Sequence, residues 1–240
     1  MMRGASLHAS QISQSSDFDE MAPYYWIHTW FSFGLVKLWR RKAIESLVLK
    51  QGAIVCDLMA GTGDAWPEIC KRIGSRGQIQ AIDFSQGMLA QAKRRLSQNA
   101  DFKVTILEQD IFSWNLSAHS MDAVICTYGA KLIAHNDWKK FIHINSRILR
   151  PGGTFCRMEA SLPRQNWLRW IFNLYLYSLQ ALLKPFCRSK LSLHRLRKYL
   201  DNFQNFEGMT EIFEEAGLSI KCKSLSGGFA TMVYGNKSKS

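Results

Sequence analysis

Short apolar runs rich in Val and Ile alternate, from residue 53 onward, with stretches whose apolar residues recur at helical spacing. The runs at 53–58, 78–83, 103–108, 121–128, 154–159, 219–224 and 229–234 predict seven strands. Between them, 67–73, 85–98, 138–149 and 209–216 predict helices, the last stopped by Gly217. Such alternation implies a parallel sheet covered by helices on both faces. The predicted fold is therefore α/β, a Rossmann-like, doubly wound, seven-stranded sheet with a helical cap ahead of the first strand. Residues 162–206 interrupt the alternation and predict a helical insertion before the last strands. Residues 1–16, rich in Ser, read as a flexible tail, which leaves 17–240 as one expected domain.

Composition keeps this picture and narrows it. At 240 residues, 47% hydrophobic and 21% charged, the chain has the balance of a globular protein with a full core. Its longest apolar stretch, 167–185, is broken by Arg169, Asn173, Gln180 and Lys184 and falls short of a spanning helix. The tail lacks the apolar segment of a signal peptide, which argues against secretion and for a cytoplasmic protein. Cys56, Cys70, Cys126, Cys156, Cys187 and Cys222 show neither C-x-x-C pairing nor metal-ligand spacing. They are expected as buried free thiols in a reducing cytosol, with no metal site. The net charge of +12 is uneven: eight Lys or Arg and no acid fall between 160 and 200. A solvated helical face is the first reading, peripheral contact with an anionic membrane the second, and nucleic acid the third.

Residues 55–64 read VCDLMAGTGD, where the first predicted strand meets the first predicted helix. Glycines at such a turn let the backbone bend tightly and approach a ligand, as in nucleotide-binding βαβ units. Asp83 ends the next apolar run twenty residues after Gly63, where a carboxylate can accept both hydroxyls of a ribose. The third glycine of G-x-G-x-x-G is missing: Gly61 and Gly63 are followed by Trp66, expected to crowd a pyrophosphate. Asp57 would repel phosphates but suits an ammonium group. A ribose and an ammonium without phosphate describe S-adenosylmethionine, with S-adenosylhomocysteine as its product. After the third strand, Asp110 can accept from the adenine amino group, with Ile111 and Phe84 against the purine faces. Met59, Ala60, Met88 and Thr127 are expected to complete the cofactor contacts.

With these residues in view, the chain resembles the ubiquinone/menaquinone biosynthesis C-methyltransferase family. The resemblance rests on FDEMAPYY at 18–25, FSFGLVKLWRR at 31–41, VCDLMAGTGD, IDFSQGMLAQAK at 82–93, RILRPGGTF at 147–155 and SLSGGFATMVYG at 224–235. It implies methyl transfer from S-adenosylmethionine to a small molecule. The departures lie on the acceptor side. Where the family continues M-A-P-x-Y with Asp and, three residues on, Asn, this chain has Trp26 and Thr29. Where the family reads G-L-R-N-V, this chain reads Gly129, Ala130, Lys131, Leu132 and Ile133, with Lys131 left to position the acceptor. Val36 stands where the family often has His. The resemblance with these departures implies an altered acceptor, aromatic and lipophilic, with a demethylmenaquinol or ubiquinone precursor as the alternative.

Methyl transfer from a sulfonium is an in-line displacement that chiefly needs alignment and exclusion of water. A base sharpens a phenol, hydroquinone or amine acceptor, and Tyr25, His28, His135 and Glu159 are the candidates. Tyr25 and Glu159 match the family's tyrosine and glutamate. Aromatic residues concentrate at 24–39 and 167–177 and are expected to line a lid over the sheet. A nucleic-acid methyltransferase fits less well, since the fourth strand ends Cys126-Thr127-Tyr128-Gly129 rather than in an Asn/Asp-Pro-Pro-Tyr motif. A non-catalytic regulator or an oxidoreductase on a similar fold completes the alternatives.

Overall fold

The computed structural model describes residues 18, 19, 22–99, 101–114, 116–183, 206 and 208–239. The predicted tail, Cys187 and the 184–205 part of the predicted insertion, with its basic residues Lys184, Arg188 and Lys190, lie outside them.

Seven strands form one sheet: β1 (Ile54–Leu58), β2 (Gln78–Asp83), β3 (Val104–Glu108), β4 (Met121–Thr127), β5 (Leu149–Ala160), β6 (Leu218–Leu225) and β7 (Ala230–Lys237). Their order is β3-β2-β1-β4-β5-β7-β6. The first five strands are parallel, but β7 runs antiparallel to both β5 and β6. The all-parallel expectation is corrected at that edge: β6 and β7 are joined by the tight turn Ser226–Gly228 with no crossover helix between them, and such a short link can only reverse direction.

Seven helices are described: α1 (Tyr25–Phe31), α2 (Leu35–Glu45), α3 (Trp66–Ile73), α4 (Gln86–Ser97), α5 (Trp138–Ile148), α6 (Asn166–Leu183) and α7 (Thr210–Glu215). Side chains alternate across the sheet at strand period. Cys56, Leu58, Val124, Cys126 and Phe155 face one way and pack with Phe141, Ile142 and Phe213 from α5 and α7. Val55, Ile79, Ala81, Ala123, Ile125 and Cys156 face the other way and pack with Trp39, Ile44, Ile69 and Ala92 from α2, α3 and α4. Among the described cysteines Cys56, Cys126 and Cys156 are buried as expected, but Cys70 is half-buried and Cys222 exposed. No described helix is long and apolar enough to cross a membrane.

Candidate active site

The connections from β1 and β4 leave the sheet to opposite sides, and a cavity opens at the carboxyl ends of these strands. An open α/β sheet leaves its ligand crevice at such a switch point. Counted with its open mouth, the cavity spans about 600 Å³. Its walls are Met59, Ala60, Gly61, Thr62, Asp64 and Ala65 after β1, Asp83, Phe84 and Met88 after β2, and Thr127, Tyr128, Gly129 and Leu132 after β4. Phe18, Tyr25 and Arg40 close it from the N-terminal segment.

Asp83 is the best-prepared acceptor. The Gly61 N–H donates to its Oδ2 at 2.8 Å and the Ser85 N–H to its Oδ1 at 2.9 Å. Backbone N–H donors thus fix the position of this carboxylate in the cavity wall. Burial pushes the Asp83 carboxyl up, and these backbone N–H groups oppose the shift by stabilising the anion. Ser85 is also the N-cap of α4, accepting from the Met88 N–H at 3.2 Å.

Two non-glycine residues at the cavity, Met59 (φ 54) and Tyr128 (φ 65), hold left-handed backbone conformations at the tips of β1 and β4. Such strain costs on the order of 1–3 kcal/mol per residue and concentrates at functional sites. The Tyr128 hydroxyl donates to the Val36 carbonyl at 3.0 Å, tying the tip of β4 to α2.

Of the residues predicted to contact a cofactor, Met59, Ala60, Gly61, Asp83, Phe84, Met88 and Thr127 line this cavity. Asp57, Gly63, Asp110 and Ile111 do not. Asp57 lies beneath the loop, 1% exposed. The Trp66 Nε1–H donates to its Oδ2 at 3.0 Å, and burial pushes its carboxyl up to about 7. Trp66, expected to crowd a ligand, is instead fully buried. Gly63, at φ +71, makes room for it, since a Cβ there would sit 2.7 Å from the indole. The second glycine therefore serves packing rather than ligand approach. Asp110 accepts from the Phe112 N–H at 3.0 Å in the turn after β3, and Ile111 is buried in the core.

The candidates for a base fare unevenly. Tyr25 lines the cavity, but burial pushes its hydroxyl up to about 12, which makes it a proton-bearing donor at neutral pH and not a base. His135 is exposed in the turn His135–Asp137 and outside the lining. Glu159 is 0% exposed on β5 and ion-paired with Lys131 Nζ at 3.1 Å, and neither residue lines the cavity. His28 falls in α1, with its side chain outside those described. Trp26, Trp30, Phe33, Trp167 and Trp170 are exposed while Trp39 and Phe172 are buried in the core, so of the two aromatic clusters Tyr25 is the member that lines the cavity.

Sequence reasoning did not single out Phe18, Arg40, Thr62, Asp64, Ala65, Tyr128 or Gly129 as contacts. Thr62, Asp64 and Ala65 continue the glycine loop and were within reach of the motif. Arg40 gave no local signal, because only tertiary packing brings α2 against the loop after β1.

Comparisons with known proteins identify the family and the fold. A model of the ubiE/COQ5 methyltransferase family matches residues 11–237. Demethylmenaquinone methyltransferase of Staphylococcus aureus (strain JH9) is 28% identical over 210 residues, spanning 87% of this chain and 86% of that protein. The fold is similar to a SAM-dependent methyltransferase from Aquifex aeolicus, with TM-score 0.60 at 16% identity over 82% of this chain and 88% of that one. It is also similar to Haemonchus contortus phosphoethanolamine N-methyltransferase 2, solved with S-adenosyl-L-methionine, with TM-score 0.61 at 14% identity over 83% and 52% of the two chains.

Proposed function

The chain belongs to the ubiE/COQ5 methyltransferase family, and from that premise we propose that it methylates an aromatic, lipophilic small molecule delivered to the carboxyl end of its sheet. It is an S-adenosylmethionine-dependent methyltransferase with a small-molecule acceptor. S-adenosylmethionine supplies an activated methyl on its sulfonium and leaves as S-adenosylhomocysteine. In this reading Asp83 accepts the ribose hydroxyls, Phe84 and Met88 face the purine, and the loop 59–62 follows the aminoacyl arm. Tyr25, Tyr128 and Leu132 hold the acceptor in line and exclude water. Tyr25, kept protonated, hydrogen-bonds an acceptor oxygen as a donor.

The observation that carries the acceptor class is a set of exposed apolar side chains on helices anchored at the carboxyl end of the sheet. Exposed Trp26, Trp30 and Phe33 lie along α1 and the turn into α2, and exposed Trp167, Trp170 and Leu174 lie along α6. Both helices are moored at the carboxyl end of the sheet: Trp39 Nε1–H donates to Ser226 Oγ at 2.9 Å, and the Phe172 and Phe229 rings lie 5.6 Å apart. Exposed Lys37, Arg41, Arg164 and Arg169 accompany these aromatics, and α6 carries no acid. Apolar residues mixed with cations suit an anionic bilayer, the natural source of a lipophilic acceptor.

Trp26 and Thr29 stay outside the cavity lining, so the acceptor departures that reach the pocket reduce to Leu132. Methylation of a demethylmenaquinol is the second reading, favoured by the relative from Staphylococcus aureus. Turnover on quinols, phenols and indole-type amines, read as a mass gain of one methyl group, tests the acceptor. Methylation of a polar amine alone would refute the aromatic, lipophilic class. Co-sedimentation with anionic vesicles, lost in high salt, tests the membrane contact, and equal pelleting with neutral vesicles would remove its electrostatic part.

A further inference from the structure

Arg40 is the one basic residue among those described at the cavity. It comes from the middle of α2 and is 6% exposed. A guanidinium has five N–H donors, and one so buried ordinarily spends several of them on fixed acceptors. Here the recorded polar partner is Asp64, 3.4 Å from one terminal nitrogen. Asp64 is itself also held by Arg95, which donates further to the Thr62 carbonyl at 3.0 Å. The other face of Arg40 lies over the Tyr128 ring, 5.5 Å from its centroid. Donors are therefore left over at a nearly dry position that faces the cavity.

We propose that Arg40 binds the carboxylate of the cofactor's aminoacyl arm, an assignment that rests on the cofactor site described above. Asp83 fixes the ribose at the tip of β2, while Arg40, beside Tyr128 and Asp64, stands over the tips of β1 and β4. The separation is about two strand spacings, roughly 10 Å, and the loop after β1 bridges it. Asp64, in the lining at this end of the cavity, suits an ammonium but repels a carboxylate, which needs a cation when removed from water. Arg40 supplies it in a planar fork that matches a carboxylate. The charge already acts across this space, since it lowers the Tyr25 hydroxyl and the Asp57 carboxyl against the larger rise caused by burial.

The test compares two ligands that differ in the aminoacyl arm. S-adenosylhomocysteine carries the carboxylate; methylthioadenosine keeps the purine, ribose and sulfur without it. Calorimetry on Arg40→Met, whose Asp64 keeps Arg95, should show S-adenosylhomocysteine weakened at least tenfold and methylthioadenosine unchanged, with Arg40→Lys recovering part of the loss. Equal weakening of both ligands would show that Arg40 only shapes the cavity. No change in either, with a raised KM for the acceptor, would assign Arg40 to an acceptor oxyanion, and each result overturns the proposal. Wild-type protein that binds neither ligand would overturn the cofactor site itself and not this assignment.

Discussion

Asp19 and Ser85, sixty-six positions apart, meet in a 2.7 Å hydrogen bond in which the Ser85 hydroxyl donates to Asp19 Oδ1. The same oxygen accepts from the Gly87 N–H at 2.8 Å. The N-terminal segment is thereby clasped to the start of α4, and Phe18 is set in the cavity wall. Since the Ser85 N–H also holds Asp83, the clasp and the proposed ribose acceptor share one residue. Asp19→Ala should weaken S-adenosylhomocysteine binding roughly tenfold, the loss of charge-assisted bonds worth about 1.5–3 kcal/mol each before water compensates. Gly87→Ala should act the same way, because its Cβ would lie 2.7 Å from the Asp19 Cα. Calorimetry decides, and unchanged affinity in both variants would show the clasp to be independent of the cofactor.

Asp83→Ala removes the acceptor itself and leaves the Gly61 and Ser85 N–H groups without their partner. Binding of S-adenosylhomocysteine should fall at least tenfold. A folded variant with the wild-type dissociation constant would take Asp83 out of the site.

Asp57 makes stability depend on pH in a fixed direction. Its carboxyl is raised from 3.8 to about 7, first by burial, with the Trp66 hydrogen bond opposing. The folded state therefore holds the proton more tightly than the unfolded state. Its stabilising contribution is full below about 4 and is lost as pH rises to about 7. Asp57→Asn keeps an oxygen for the Trp66 N–H and carries no charge. Its melting temperature relative to wild type should therefore rise across that window and level off above it. A difference that is flat from pH 4 to 8 would place the Asp57 titration elsewhere.

The Lys131–Glu159 pair predicts an asymmetry. Lys131 Nζ reaches Glu159 Oε2 at 3.1 Å and also donates to the Tyr128 carbonyl. Lys131→Met strands a fully buried carboxylate, which costs about 3–5 kcal/mol, whereas the double variant Lys131→Met/Glu159→Gln leaves no charge behind and should regain much of it. Denaturant unfolding measures both. Equal losses would mean that the two residues contribute through packing and not as a pair.

The sequence by itself determined the elements, their order and the cofactor class. Each of the seven strands overlaps the apolar run that predicts it, because alternation and turn residues are local signals, although β5 starts at Leu149, five residues ahead of its predicted run. The places of Asp83, Gly61, Phe84 and Met88 in the cavity wall were legible for the same reason, since strand tips and the loops after them are set by short-range pattern. Tertiary structure alone decided what depends on contacts between distant segments. The reversal of β7 follows from a four-residue link, 226–229, whose geometry the apolar run does not encode. Asp57 reads as a motif acid suited to a ligand's ammonium until Trp66, admitted by Gly63, folds over it. Arg40 looks like any cation on an amphipathic helix until packing turns it toward the loop after β1. Charge in a motif is visible in one dimension, but its burial and its partner are set by packing in three.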